Sequence, residues 1–178
     1  MSYHNRIREV LPSLLRNHFS PDILNTNVKC VIGYGSGVFP QLAKSTQNTV
    51  DLIMIVNNAS DFHRKMLSAH ASDYAGLTKL LGTAYLDPVH RFVFPIHFNH
   101  IETQGIKIKY SIVEEAVVLN DLKTWNMLTI AGRLHKPVFY NVTGQKEDSS
   151  LKNMIHLNHM LALNVALLTL IGKLPQNN

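Results

Sequence analysis

The residues of this chain best suited to chemistry are the turn Gly33-Tyr34-Gly35-Ser36-Gly37 and the acid Asp51, which opens the next apolar run. Val28 to Ile32 before the turn read as a buried strand, and Val38 to Lys44 after it can start a helix. Such a turn directs backbone N–H groups at a helix N-terminus, where they can hold phosphate. Under that reading the Ser36 hydroxyl and the amides of Gly35 to Gly37 grip the phosphates of a nucleotide. The plain alternative is a tight turn with no ligand. The turn is not a Walker A loop, since Lys44 lies too far on, and Val38 breaks the Gly-x-Gly-x-x-Gly pattern. Asp51 heads the otherwise apolar strand Val50 to Val56, so it needs a cation beside it or water at a strand end. Mg²⁺ is one such cation, because it binds through one or two carboxylates plus substrate phosphates.

Four cations could meet the same phosphates. Lys107 and Lys109 share the polar face of an alternating strand, Ile106 to Val113. Lys109 could neutralise a triphosphate or simply be an exposed strand lysine. Arg133 and Lys136, in Ala-Gly-Arg-Leu-His-Lys-Pro, could clamp phosphate or cap the carbonyls of a preceding helix. The ten histidines lack the cysteine or carboxylate spacing of a zinc site. Cys30 is the single cysteine, which excludes a disulfide framework and suggests a small core residue.

The elements that must position these groups follow from apolar runs bounded by turn residues. Strands are expected at Val28 to Ile32, Val50 to Val56, Arg91 to Phe98, Ile106 to Val113 and Pro137 to Val142. Helices are expected at Asp61 to His70, Ser72 to Leu81, Asn120 to Ala131 and Leu151 to Lys173, with Thr143 to Ser150 as a loop. A short amphipathic helix is expected near the N-terminus, where Ile7, Val10, Leu11, Leu14 and Leu15 keep helical spacing. Its scattered apolar residues do not suit a secretory signal, and Glu9 and Pro12 count against a mitochondrial transit peptide. The chain has 178 residues, 46% of them hydrophobic, and a net charge of +5. That composition supports a real core and excludes a disordered chain, and the charge favours phosphate-rich partners. No stretch reaches the ~20 apolar residues expected of a membrane span. The longest, Met160 to Ile171, is expected to be a core helix, with docking on lipid as the alternative. Trp125 is expected to be a core or interface anchor.

A phosphate-cradling Gly-Ser turn with a carboxylate on the next strand resembles the core of polymerase-β-like nucleotidyltransferases. The usual Asp-x-Asp is reduced here to Asp51-Leu52-Ile53, so one carboxylate is missing. An acceptor that is already an anion, such as a phosphate monoester with a second pKa near ~6, needs no base to activate it. The reduced set therefore hints at a phosphate acceptor. More closely, the chain resembles the mitochondrial-type phosphatidate cytidylyltransferases. The matching segments are Tyr-Gly-Ser-Gly-Val-Phe-Pro-Gln (34–41), Asp-Leu-Ile-Met-Ile-Val (51–56), the His63 helix to Asp73-Tyr74, Leu-Leu-Gly (80–82) and Ile-Lys-Tyr (108–110). The most specific segment runs from Asn120-Asp121-Leu122 through Trp125 to Ala-Gly-Arg-Leu-His-Lys-Pro-Val (131–138).

The resemblance implies an α/β fold: a polymerase-β-like domain with a mixed sheet over residues 1–119, then a winged-helix-like module over 120–178. It implies transfer of CMP from CTP to phosphatidic acid, giving CDP-diacylglycerol and pyrophosphate, with Mg²⁺ and with Mn²⁺ or Co²⁺ as substitutes. Carried over, Tyr34, Gly35, Ser36 and Gly37 bind nucleotide. Ser36, Asp51 and Lys109 are catalytic, and Asp51 holds the metal. Lys109, Arg133 and Lys136 bind substrate phosphate, and His63 and Tyr74 line the cleft. Asp121 and Glu114 are the candidates for a second metal ligand. The implied partners are CTP, phosphatidic acid and an anionic membrane touched peripherally, with no specific nucleic acid and a homodimer left open. The implied location is the matrix face of the mitochondrial inner membrane in a eukaryote, or the cytoplasmic face of the membrane in a bacterium. The chain departs from the family at Asp73 and Ala75, where His-Tyr-Ser is usual, at Met66, where Asn is usual, and in its length. A soluble nucleotidyltransferase with another acceptor and a non-catalytic nucleotide- or lipid-binding scaffold remain the alternatives.

Overall fold

A computed structural model describes residues 3–39, 49–143 and 148–171. Four strands form one sheet: β1 (Val28–Tyr34), β2 (Thr49–Val56), β3 (Ile96–Thr103) and β4 (Ile106–Glu114), in the order β1-β2-β4-β3. The central pair, β2 and β4, is parallel; β1 and β3 flank it antiparallel, so the sheet is mixed. β2 reads as a continuous apolar run because it is central and covered on both faces. β3 and β4 form a hairpin through Gln104 and Gly105, both at positive φ (50° and 73°) as tight hairpin turns demand.

Alternation along the strands separates two cores. On one face Leu52, Met54, Val56, Ile108, Tyr110 and Ile112 pack against Ile7, Leu11 and Leu15 of α1 (Tyr3–His18) and Phe62 and Met66 of α3 (Ala59–Ala69). The short α2 (Pro21–Thr26), α4 (Gly76–Leu81) and α5 (Thr83–Phe92) complete the helices before β3. On the other face Cys30, Ile32, Ile53, Ile55 and Val113 meet Val118 and Leu122 of α6 (Glu115–Thr124), Leu134, and Leu151 and Ile155 of α7 (Ser149–Ile171). The fold is therefore α/β, a mixed sheet with helical elements on either side.

Several elements differ from expectation. Pro137 to Val142 makes no strand. Phe139 forms one isolated bridge with Gly33 at the edge of β1, because Pro137 has no N–H to donate and Asn141 turns to φ 52°. Arg91 belongs to α5, and β3 begins only after Pro95. The expected helix Asn120 to Ala131 is shifted earlier: α6 starts at Glu115 and stops where Trp125 enters the left-handed region at φ 54°. Asp121 is thus inside a helix rather than at its cap.

The terminal helix is the largest correction. Only Leu151, Ile155 and Asn158 of α7 are buried, and from Met160 to Ile171 its large apolar residues face outward. It is not a core helix. By length and composition alone α7 is also apolar enough to cross a membrane, because Met154, Ile155 and Leu157 extend the apolar stretch backward past Met160. Of the helix start expected over Val38 to Lys44, Val38 and Phe39 form a turn closed by the Gly35 carbonyl; residues 40–44, with Pro40 and Gln41 of the matching segment, the centre of the Thr143 to Ser150 loop and Lys173 lie outside the described residues.

Candidate active site

Register builds the site. Tyr34 pairs with Asp51 across β1 and β2, Asp51 with Lys109 across β2 and β4, and Lys109 with His100 across β4 and β3. Side chains in register on neighbouring strands share a face, so these four form one row across the sheet. The row shares its face with Ile53 and Ile55, on the side of α6 and α7. Arg133 joins it from the segment after α6. The Lys109 Nζ and the Arg133 guanidinium lie 4.9 and 5.6 Å from the centroid of the Phe98 ring. Arg133 donates to the Thr129 carbonyl, and its side chain lies near enough to the Tyr34 hydroxyl to lower that group's pKa against burial.

Asp51 is half-buried, and desolvation pushes its carboxyl above the ordinary range. The charges of Lys109, Arg133 and His100 pull it back down. Burial and the charge of Asp51 raise the Tyr34 hydroxyl, against the opposing Arg133. A desolvated carboxylate ringed by cations in this way is a recognised mark of a functional site.

The glycine turn is pressed against Asp51. Gly35 has φ +76°, and a Cβ there would stand 3.4 Å from the Asp51 Oδ2. Gly37 tolerates no side chain, because its Cβ would meet the Thr49 carbonyl oxygen at 2.2 Å. Two residues of α1 brace the turn from the N-terminal side. His4 Nε2 lies 3.1 Å from the Ser36 carbonyl oxygen, and Arg8 Nε donates to the Val38 carbonyl at 3.2 Å while its guanidinium covers Phe39. Sequence reasoning missed His4, Arg8 and His100. The first two stand one helical turn apart, on the polar side of an amphipathic helix. His100 emerges only from the β3–β4 register.

Other expected site residues lie elsewhere. Lys136 is exposed beyond the 3₁₀ turn Arg133–His135. His63 and Tyr74 lie on the opposite side of the sheet, fully buried, so they do not line a cleft at Asp51. There the His63 Nδ1 meets the Tyr74 hydroxyl at 2.7 Å, and its Nε2 meets the His90 Nε2 at 3.2 Å. The same layer holds His97 on Asn99, Asn99 donating to the Tyr110 hydroxyl, and Tyr110 donating to Asp73, which also binds His18. Burial, with His97 and His90 close by, lowers the His63 imidazole to about 2, so it is neutral. The departure at position 73 belongs to this layer: His18 and Tyr110 hold the Asp73 carboxyl below its usual range in spite of burial.

The two further carboxylates are committed to backbone. The Glu114 Oε1 accepts from Ala59 N at the start of α3 (2.8 Å). Asp121 accepts from the N–H groups of Met127, Leu128, Ile130 and Ala131 at 2.7 to 3.2 Å. Among the described residues no group of three or more His, Cys, Asp or Glu is arranged to hold a metal. A divalent ion at Asp51 would take its other ligands from phosphate and water, a donor set that suits Mg²⁺. The approach of Gly35 to Oδ2, which a side chain would fill, leaves the carboxylate accessible for it.

Residues 20–178 match the model of a family described as phosphatidate cytidylyltransferase, mitochondrial. Relatives bearing that name include one from Xenopus laevis, 34% identical over 151 residues, covering 81% of this chain and 44% of the relative. One from Drosophila melanogaster is 33% identical over 161 residues (83% and 47%), and one from Caenorhabditis briggsae is 32% identical over 146 residues (80% and 44%). The chain spans less than half the length of these curated relatives.

Proposed function

Because the chain belongs to the mitochondrial phosphatidate cytidylyltransferase family, we propose that it transfers CMP from CTP to phosphatidic acid, forming CDP-diacylglycerol and releasing pyrophosphate. The observation that carries the reading is the convergence of Asp51, Lys109, Arg133 and Tyr34 on one face of the sheet, against a glycine turn. On this reading the sheet belongs to a polymerase-β-like domain over residues 1–119, and 120–178 form a winged-helix-like module that supplies Arg133.

The Ser36 hydroxyl and the backbone of Tyr34 to Gly37 hold the triphosphate. Asp51 holds Mg²⁺, which when bound draws charge from the phosphates. Lys109 and Arg133 offset the negative charge that builds on the phosphoryl oxygens as the bond to pyrophosphate breaks. Lys136, being exposed, meets acceptor phosphate at the rim. An oxygen of the acceptor phosphate attacks the α-phosphorus and pyrophosphate leaves. That oxygen is already ionised near neutral pH, so no base is required. Ile53, in the position where a second carboxylate is usual, is completely buried. The exposed apolar residues of α7 bring the protein to an anionic membrane that presents the lipid. The relatives' names say mitochondrial, which supports a mitochondrial location, and on this reading the protein acts at the matrix face of the inner membrane.

The test is pyrophosphate release from CTP with and without phosphatidate vesicles. We expect lipid-dependent turnover in the wild type and a loss of about a hundredfold or more in Asp51→Asn. Equal turnover without lipid, or with a hydroxyl acceptor in its place, would reject phosphatidate as the substrate. CTP binding without turnover in the presence of any acceptor would make the protein a scaffold.

A further inference from the structure

Asn158 is a polar side chain in the apolar helix α7, and it has no exposed surface. Its amide nitrogen donates to the carbonyls of Ala131 and Leu134 at 3.0 and 3.1 Å, and its Oδ1 accepts from the Trp125 indole at 2.8 Å. Both amide protons are thereby used and the carbonyl has a partner. The two carbonyls it holds bracket Arg133.

The rest of that segment is fixed from the other side. Asp121 takes the N–H groups of Ile130 and Ala131. Gly132 comes so close to Leu128 that a Cβ would meet the Leu128 oxygen at 2.6 Å. Among the described residues no side chain hydrogen-bonds the backbone of Lys136, the other cation of the segment, which is exposed. A buried amide on an apolar helix is costly unless every polar atom is satisfied. Here that satisfaction is spent on the two peptide groups that orient Arg133.

We propose that Asn158 is a positioning residue: acting from α7, it fixes the backbone on both sides of Arg133 and so sets the guanidinium against Tyr34 and Phe98 at the Asp51 row. The inference rests on the reading of Arg133 as a phosphate ligand for its consequence, but not for its geometry. It also makes α7 the mechanical support of a site residue, so that the helix with the exposed apolar surface and the reacting face share one hydrogen-bonded joint.

Two measurements test it on the full chain. First, arginine side-chain ¹⁵Nε–¹H spectra assign Arg133 by its loss in Arg133→Ala. In Asn158→Leu, and in the milder Asn158→Ser and Trp125→Phe, that resonance should shift or broaden while the spectrum stays otherwise folded. An unchanged Arg133 resonance in a folded variant overturns the proposal. Second, a double-mutant cycle is read by lipid-dependent CTP turnover. Asn158→Leu should lower kcat about tenfold with the KM for CTP little changed, and should add nothing in the Arg133→Ala background. A full additional loss there would show that Asn158 acts elsewhere. If Arg133→Ala itself leaves turnover intact, the phosphate-ligand reading fails, and the spectra still decide the positioning claim.

Discussion

Gly37→Ala is the sharpest test of the geometry at the turn. A Cβ at this position would lie 2.2 Å from the Thr49 carbonyl oxygen, 2.8 Å from the Val50 Cα and 2.9 Å from the Thr49 carbonyl carbon. Side chains do not approach closer than 3.0 Å, so the turn and the first residues of β2 must separate by at least 3.0 − 2.2 = 0.8 Å. The atoms in the way are backbone, and no rotamer change relieves them. Overpacking of this kind costs about 1–3 kcal/mol, which for a chain of this size lowers Tm by about 2–12 °C. The displacement falls beside Asp51, and a misplacement of about 1 Å at a reacting centre can cost about a hundredfold in rate. Gly35→Ala is the comparison. Its Cβ meets only the Asp51 Oδ2, at an ordinary 3.4 Å, so its stability cost is the left-handed strain of about 1–2 kcal/mol. Its methyl group does stand against the carboxylate. Thermal melts and lipid-dependent CTP turnover should therefore show a large loss of both properties in Gly37→Ala, and a loss mainly of turnover in Gly35→Ala. A Gly37→Ala protein with wild-type Tm and turnover would refute the placement of the turn on β2.

Acid stability follows from the neutral histidine layer. Between the unfolded pKa of about 6.5 and the folded value of about 2, the unfolded chain binds a proton at His63 that the folded chain does not. Stability is thus present above pH 6.5 and falls as pH drops, by about 1.4 kcal/mol per unit for this group. His90 and His97, also lowered by burial, act in the same direction, and Asp73, held down mainly by His18, adds its loss only at the acid end. Urea midpoints from pH 7 to 5 should decline steeply in the wild type and less steeply in His63→Gln; parallel declines would refute the assignment. Asp121→Asn puts an amide against backbone N–H groups, and should lower the urea-derived stability by at least about 2 kcal/mol; an unchanged midpoint would contradict its role. Leu167→Glu with Leu170→Glu, on exposed positions of α7, should leave Tm unchanged and weaken flotation with phosphatidate vesicles about tenfold. Undiminished flotation would remove α7 as the membrane contact.

How much of this the sequence discloses depends on whether an element is set by its own residues or by its neighbours. β1, β2 and β4 were legible because buried runs and alternation are local signals. The N-terminal helix was legible from Ile7, Leu11 and Leu15, which reach the core as their spacing requires. α5 was not: Leu86 is the one buried side chain among its described residues, and Pro88 stands inside the helix, where it normally argues against one. Phe139 and Val142 do reach the edge of β1, but a strand was inferred where only scattered bonds form. Gly35, Asp51, Lys109 and Arg133 could be named from type and spacing, and Tyr34 only from the resemblance. The resemblance named His63 and Tyr74 too, but a list of residues does not say which face of a sheet each occupies. Asp121 and Glu114 look like metal ligands in a sequence because their real partners are peptide N–H groups, which no residue type advertises.

The register of β3 and β4 explains why the two polar systems stay apart. His97 and Asn99 point to the layer of His63 and Tyr74, while Phe98 and His100 point to Asp51 and Lys109. The first layer is buried at His63 and half-buried at His90 and His97, and desolvation lowers all three imidazoles. The second is half-buried and charged, with the Asp51 carboxylate facing Lys109 and Arg133. One negative charge against two fixed positive ones leaves a positive surplus before any substrate arrives. A second carboxylate at position 53 would cancel that surplus, which on the proposed reading would work against binding both a triphosphate and a phosphate monoester. On that proposed reading the buried Ile53 and the paired cations are two parts of one electrostatic arrangement: with an acceptor that carries its own negative charge, the face needs attraction more than it needs a base.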